Sequence, residues 1–192
     1  MTAVPDFDSV YRADPDPWRV RTSFYEQRKL EIVLASLSAP SYGRAWDPAC
    51  GVGELAARLS DRAASVLATD ASVEAVRLTR TRVEDRPTVT VRQHALPAAP
   101  GAEPYDLIAL CEFLYYLDAD DRRATLELVD GLLGPTGELV SVHWRHEPHD
   151  AWLSGAAVQG EIDSHLQGAG WQPLVHHDDV DFVLATYGRA RP

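Results

Sequence analysis

The chain lacks any long apolar segment and contains only two cysteines. No apolar run in its 192 residues approaches the roughly 20 residues that a membrane-spanning helix requires. The first residues are acidic and proline-rich, without the apolar core of a secretory signal. Cys50 and Cys111 belong to no metal-binding or disulfide spacing, which predicts that both stay reduced. We therefore expect a soluble, cytoplasmic protein with no membrane partner.

Positive charge is also scarce. The sequence has 18 Lys and Arg against 29 Asp and Glu, for a formal net charge of −11. A broad nucleic-acid surface needs a basic stripe, so this balance argues against a nucleic-acid partner and suits a neutral or cationic small molecule. His143-x-x-His146 lacks a third ligand at a telling distance, and we expect no metal site. No internal repeat or low-complexity tract is present.

Apolar strand-like runs alternate with helical periodicity along the chain, which favours an α/β fold. We expect a single domain over residues 1–192, with a helical N-terminal segment (1–40), a core (41–192) and a short cap (144–158). The last two strands are close enough in sequence to form a hairpin, so the sheet is expected to be mostly parallel with an antiparallel C-terminal strand. Strands are predicted at 43–47, 65–70, 88–93, 105–111, 138–143, 173–177 and 182–187, and helices at 24–37, 54–61, 72–83, 118–133 and up to about 169.

The first strand is followed by a glycine-rich loop within the segment DPACGVGELA, residues 47–56. Such a loop presents backbone N–H groups and a helix N-terminus at the carboxyl end of the sheet, where ligands bind in open α/β folds. Gly51-x-Gly53-x-x-Ala56, with Asp70 about 20 residues on, also fits the dinucleotide fingerprint. The glycine spacing alone therefore leaves two ligand classes open.

Asp47 favours a cationic ligand at this loop. A carboxylate at the tip of the strand repels a pyrophosphate and attracts an ammonium group. S-adenosylmethionine carries an α-ammonium and a sulfonium and has no phosphate. Asp70, at the end of the second strand, suits the two hydroxyls of a ribose, which both ligand classes contain.

Several segments together resemble the nodulation-protein-S type of class I S-adenosylmethionine-dependent methyltransferases. They are D-x-x-C-G-x-G at 47–53, DPW at 16–18, SFYEQRK at 23–29, EFLYYL at 112–117 and HWRH at 143–146. The likeness extends over nearly the whole chain and implies a Rossmann-like, doubly wound sheet of seven strands. It also implies transfer of a methyl group to a small molecule, preferably the amine of an amino sugar or of a related natural product. O-methylation stays as an alternative, as do a nicotinamide-dependent oxidoreductase and a catalytically silent cofactor-binding module.

The resemblance implies a set of residues around S-adenosylmethionine, or around the product S-adenosylhomocysteine. Trp18 and Tyr25 lie in a segment that folds over the cofactor as a lid in this superfamily. The family usually has an acid after the third strand for the adenine amino group, and Ala95 stands in its place. The expected cofactor-binding residues are Asp47, Ala49, Gly51, Gly53, Asp70, Ala71, His94, Ala95, Leu96, Cys111, Tyr25 and Trp18.

The candidate catalytic residues follow the fourth and fifth predicted strands. Histidine is the side chain that ordinarily titrates near neutral pH, so His143 and His146 are candidates to take a proton from an amine. Glu112 is a candidate to hold a cationic or hydroxylated acceptor, and Tyr116 is a candidate to line the cleft. Structural roles in the core or on a solvated loop remain open for all four residues.

Overall fold

The computed structural model describes residues 4–147 and 149–189 and contains seven strands in these ranges. Their order in the sheet is β3-β2-β1-β4-β5-β7-β6. The pairs β1·β2, β2·β3 and β4·β5 are parallel, and β7 is antiparallel to both β5 and β6. This arrangement confirms the predicted seven-stranded, mostly parallel Rossmann-like sheet with an antiparallel strand at the C-terminal end.

The strands are β1 (Tyr42–Pro48), β2 (Ala63–Asp70), β3 (Val89–Gln93), β4 (Tyr105–Cys111), β5 (Leu133–Trp144), β6 (Trp171–Asp178) and β7 (Phe182–Arg189). The helices are α1 (Phe7–Ala13), α2 (Phe24–Ser36), α3 (Glu54–Leu59), α4 (Val73–Arg82), α5 (Ala119–Leu132) and α6 (Gly155–Gly168), and a 3₁₀ turn covers Leu114–Tyr116. No helix in the described ranges is long and apolar enough to cross a membrane.

Contacts divide the chain into two compact units. The N-terminal unit comprises residues 5–95, and the C-terminal unit comprises residues 96–189 as far as the structure describes them, together with Val4. Trp46 is fully buried in β1, where its indole N–H donates to Thr69 Oγ1 at 3.0 Å. In the C-terminal unit β4 is the most apolar strand, and its residues 107–110 are completely buried. This burial explains the nearly continuous apolar sequence of β4.

The local signals for helix starts are confirmed where a side chain caps the helix. Ser72 accepts from the Ala75 N–H at 3.1 Å, and Asp118 accepts from the Asp121 N–H at 2.9 Å. Each bond satisfies a backbone donor that has no partner inside its own helix.

The structure differs from the sequence analysis at three elements. The N-terminal helix α1 was missed, although Asp6 caps it by accepting from the Ser9 N–H. The strand β5 begins at Leu133, well before the predicted residue 138, and continues through two glycines and a proline. Helix α6 begins at Gly155, inside the segment predicted as the cap, because Ser154 accepts from the Ala157 N–H and starts the helix.

Candidate functional site

The glycine loop of the N-terminal unit is held by hydrogen bonds from its own backbone. The Cys50 N–H donates to Thr69 O, the Gly51 N–H to Asp70 Oδ2 and the Gly53 N–H to Cys50 O, at 2.9–3.0 Å. These three donors are therefore directed at the protein. A loop that cradles phosphates directs such N–H groups at the ligand.

Glycine is required at two positions of this loop. Gly53 has φ +81°, and an added Cβ would lie 2.9 Å from Thr79 Cγ2 on helix α4. Gly51 has φ +55°, and its Cβ would lie 3.0 Å from the hydroxyl of Tyr11 on α1. Thr79 Oγ1 also donates to Gly51 O at 2.8 Å. The two glycines thus allow α1 and α4 to approach the loop closely, and the neighbouring Ala49 has a left-handed φ of +54°.

Asp47 is the most unusual group at the loop. It is only 2 % exposed, and its Oδ2 has no hydrogen-bond donor among the described residues. The Ala56 N–H donates to the carboxylate, but burial and the charge of Asp70 raise the pKa of Asp47 to about 8. Burying an ionised carboxylate is unfavourable unless a cation or hydrogen bonds compensate. This environment is suited to a ligand that brings a positive charge.

Asp70 is also buried but better satisfied. Its Oδ1 accepts from the Ser72 N–H at 2.9 Å, and its Oδ2 accepts from the Gly51 N–H. Burial still raises the pKa of Asp70. Two backbone bonds fix the direction of the carboxylate, and each oxygen keeps a second lone pair for a hydroxyl group.

Helix α1 packs onto the same loop, a feature that the sequence interpretation missed. Asp8 Oδ1 accepts from the Ser72 hydroxyl at 2.5 Å and from the Glu74 N–H at 3.3 Å, at the start of α4. The hydrogen bond from Ser72 is the main reason that the pKa of Asp8 is lowered. Tyr11 packs with Val52, Ala75 and Leu78 in one apolar cluster. The Asp6 cap and the spacing of Phe7 and Tyr11 were the sequence signals for this helix.

The other predicted cofactor residues of the N-terminal unit occupy varied positions. Trp18 is 42 % exposed and packs edge-on against Tyr11, with ring centroids 5.6 Å apart. Tyr25 is half-buried on α2, with the Lys29 ammonium 4.8 Å from its ring centroid. Ala71, His94 and Ala95 follow β2 and β3, and the His94 N–H donates to Asp70 O at 2.9 Å. His94 is half-buried, whereas Ala71 and Ala95 are exposed.

In the C-terminal unit, Glu112 joins the residues that follow β4 and β5. Its Oε2 accepts from the Tyr115 hydroxyl at 2.7 Å and from the Trp144 N–H at 2.8 Å. Its φ is +60°, which is uncommon for a residue with a side chain. Glu112 is half-buried and directly follows Cys111, the last residue of β4. Leu96, another predicted cofactor residue, is also half-buried and follows β3 in the chain.

His143 is completely buried. Its ring packs edge-on against Tyr115, with centroids 5.5 Å apart. The backbone of α6 approaches closely, because a Cβ on Gly155 would lie 2.9 Å from His143 Cβ and 2.0 Å from Trp144 O. The structure therefore places this histidine beneath the start of α6.

His146 and Tyr116 lie nearer the solvent. His146 is exposed, and its Nε2 is 3.2 Å from Asp181 Oδ1. Its ring lies 4.9 Å from that of Trp144. Tyr116 is half-buried, and burial together with the carboxylates of Asp150 and Glu112 raises its pKa, so its hydroxyl stays protonated. The four predicted catalytic residues thus lie in one unit, and Tyr115 and Trp144 each contact both Glu112 and one of the two histidines.

The two cysteines are free thiols, as expected. Burial, together with the carboxylates of Asp47 and Asp70, raises the pKa of the Cys50 thiol well above its ordinary value. A thiol of this kind is not nucleophilic at neutral pH. No cluster of three or more His, Cys, Asp or Glu residues in the described chain has the arrangement to hold a metal ion.

The sequence matches the family described as Nodulation protein S (NodS) over residues 9–164. The chain belongs to the nodulation protein S family. Nodulation protein S of Azorhizobium caulinodans is 28 % identical over 151 residues, which cover 77 % of this chain and 72 % of that protein. Membership makes the chain an S-adenosylmethionine-dependent methyltransferase and confirms the resemblance drawn from its motifs.

Solved structures agree with this family membership. A protein from Pseudomonas syringae, assigned as a methyltransferase, is 34 % identical, with a TM-score of 0.77 over 87 % of this chain and 100 % of that chain. The N-methyltransferase NodS from Bradyrhizobium japonicum WM9, solved with S-adenosyl-L-homocysteine, has a TM-score of 0.80 at 20 % identity, over 95 % of this chain and 97 % of that chain. The latter likeness supports the fold.

Proposed function

We propose that the chain transfers the methyl group of S-adenosylmethionine to the free amine of an amino sugar or a related small molecule. The main support for S-adenosylmethionine as the cofactor is the buried Oδ2 of Asp47, which has no hydrogen-bond donor among the described residues. An α-ammonium group would supply that donor together with the compensating positive charge. NodS from Bradyrhizobium japonicum WM9 is an N-methyltransferase, which supports nitrogen as the accepting atom.

The residues of the glycine loop fit this cofactor better than a dinucleotide. In the proposal Asp47 holds the ammonium and Asp70, fixed by the Gly51 and Ser72 N–H groups, accepts from the ribose hydroxyls. The N–H groups of Cys50, Gly51 and Gly53 are already used inside the protein, which leaves a pyrophosphate without those three donors. This disfavours the alternative of a nicotinamide-dependent oxidoreductase.

S-adenosylmethionine supplies a methyl group that is already activated on a sulfonium. The chain's own residues then have to orient an acceptor and exclude water, which contributes roughly 7–11 kcal/mol in well-oriented reactions. An amine must be neutral to attack, so its proton has to leave before transfer. His146 is the exposed titratable candidate of the predicted set, whereas His143 is completely buried.

The acceptor is tested with a matched pair of substrates. One is a glucosamine oligosaccharide with a free amine at its non-reducing end, and the other is the same oligosaccharide with that amine acetylated. We expect formation of S-adenosylhomocysteine and a mass gain of one methyl group with the free amine only. Equal methylation of both would favour the O-methyltransferase alternative, and binding without turnover of any amine or hydroxyl would favour the silent module.

A further inference from the structure

Glu112 adopts a backbone conformation that residues other than glycine generally avoid. Its φ of +60° lies in the left-handed region, at the point where the chain leaves β4. The Glu112 N–H donates to Val142 O at 2.9 Å, which ties this residue to β5. Strained residues of this kind persist where the surroundings fix them, and they cluster at functional sites.

The Glu112 side chain joins two aromatic residues through one oxygen atom. Oε2 accepts from the Tyr115 hydroxyl and from the backbone of Trp144, both at hydrogen-bond distance. Both bonds are charge-assisted when the carboxylate is ionised, which makes them stronger than neutral bonds. The carboxylate therefore fixes the turn after β4 against the end of β5.

Tyr115 extends this connection to two residues that are more accessible. Tyr115 is itself buried, and its ring packs edge-on against that of Tyr116, with centroids 4.7 Å apart. Its backbone carbonyl accepts from the backbone N–H of Trp152 at 2.8 Å. Tyr116 is half-buried and Trp152 is 42 % exposed. Glu112 is thus connected, through Tyr115, to the ring of Tyr116 and to the backbone of Trp152, whose side chain is exposed.

We infer that Glu112 is a positioning residue that acts through Tyr115 to hold Tyr116 and Trp152 in place as a binding surface for the methyl acceptor. This inference rests on the proposed function for the kind of acceptor, a sugar ring bearing an amine. An indole face suits the apolar face of such a ring, and the carboxylate of Asp150 beside Tyr116 suits its positive charge. Because Oε2 already accepts two bonds within the protein, its function here is to hold these residues.

Three substitutions at Glu112 separate positioning from direct chemistry. E112Q keeps a carbonyl oxygen at the same reach, so it should retain both bonds and stay within about threefold of wild-type kcat/KM. E112A should raise the KM for the acceptor roughly 10- to 100-fold, with a smaller change in kcat. E112N is tolerated at positive φ but is too short to reach Tyr115, so it should behave like E112A.

Further measurements distinguish a loss of acceptor binding in the Glu112 variants from a loss of folding. The Kd for S-adenosylhomocysteine should stay at its wild-type value in every variant, since the cofactor residues proposed for that ligand lie mainly in the N-terminal unit. Y115F removes the hydroxyl bond without altering Glu112, and its effect should not add to that of E112A. W152A should raise the acceptor KM, whereas V180A, at an exposed apolar residue of the β6–β7 hairpin, should leave it unchanged.

The decisive result is the comparison of E112Q with E112A. An E112Q variant as inactive as E112A, or one with a shifted pH profile of kcat/KM, would show that the charge acts on the substrate and would overturn the inference. Wild-type kinetics in E112A would overturn it as well. All assays follow S-adenosylhomocysteine formation with whichever acceptor the wild type methylates, so failure of the amino sugar would contradict the proposed function and leave this test intact.

Discussion

The two compact units present their candidate residues in different ways. In the N-terminal unit, the Asp70 carboxylate at the end of β2 is fixed by two backbone N–H groups, that of Ser72 two residues on and that of Gly51 in the loop after β1. In the C-terminal unit, a carboxylate is fixed by Tyr115 and by Trp144, which lies 32 residues along the chain. The residues of the proposed cofactor site thus follow a strand–loop–helix spacing that is visible in the sequence, whereas the residues of the proposed acceptor surface are linked by contacts that have no such spacing.

The largest effect is expected in the pH dependence of stability, and it concerns Asp47. Its pKa is raised to about 8, above the ordinary unfolded value near 4. Its stabilising contribution is therefore fully present below about pH 4 and is lost as the pH rises through 8. D47N lacks this titration, so its free energy of unfolding relative to wild type should increase by up to about 4 kcal/mol between pH 5 and pH 8.

Chemical denaturation at several pH values measures this difference. E84Q, which replaces an exposed acid of the same unit, serves as the control. The difference between its free energy of unfolding and that of wild type should be the same at every pH. A pH-independent gap between D47N and wild type would show that Asp47 is not buried as the structure describes.

In the C-terminal unit, a comparable effect is expected from packing. An added Cβ at Gly155 would lie 2.0 Å from Trp144 O, which is a backbone atom and cannot rotate away. G155A should therefore lower the free energy of unfolding by about 2–3 kcal/mol. Gly160 lies in the same helix with no atom within 4 Å of its Cβ position, and G160A should be neutral or stabilising by up to about 1 kcal/mol. Equal effects in the two variants, measured by urea denaturation, would contradict the close contact between α6 and β5.

The smallest effect is expected at Ala95, where the resemblance to the family implies an acid. A carboxylate at this exposed position after β3 would supply an acceptor for the adenine amino group. A95D should bind S-adenosylhomocysteine several-fold more tightly, corresponding to about 1 kcal/mol. Calorimetric titration of wild type and A95D with S-adenosylhomocysteine measures this difference. Equal affinities would contradict a position for residue 95 beside the adenine amino group.

The sequence predicted most of the fold because its signals were local. The apolar run of β4, the caps at Ser72 and Asp118, and the glycines after β1 each report on their own neighbourhood. Helix α1 was missed because Phe7 and Tyr11 are stabilised by packing against residues far along the chain. The start of β5 was missed because glycine and proline at 134–137 normally indicate a turn.

The candidate site divides in the same way. The strand–loop–helix spacing predicts Asp47, Asp70 and the two glycines as site residues. The negative charge of Asp47 then favours a cationic ligand over a pyrophosphate. The contact between Glu112 and Trp144 has no local signature, because it joins the residue after β4 to the last residue of the neighbouring strand β5. The same is true of Trp152, whose backbone N–H donates to Tyr115 O although no spacing in the sequence pairs the two residues.

The central claim is that the buried carboxylate of Asp47 receives the ammonium of the cofactor. Calorimetric titration of wild type and D47N with S-adenosylhomocysteine and with 5′-methylthioadenosine, which lacks the amino acid part, tests it most directly. D47N should weaken S-adenosylhomocysteine binding about 100-fold or more and leave 5′-methylthioadenosine binding within about threefold of wild type. Equal weakening of both ligands, or an unchanged affinity for S-adenosylhomocysteine in D47N, would contradict it.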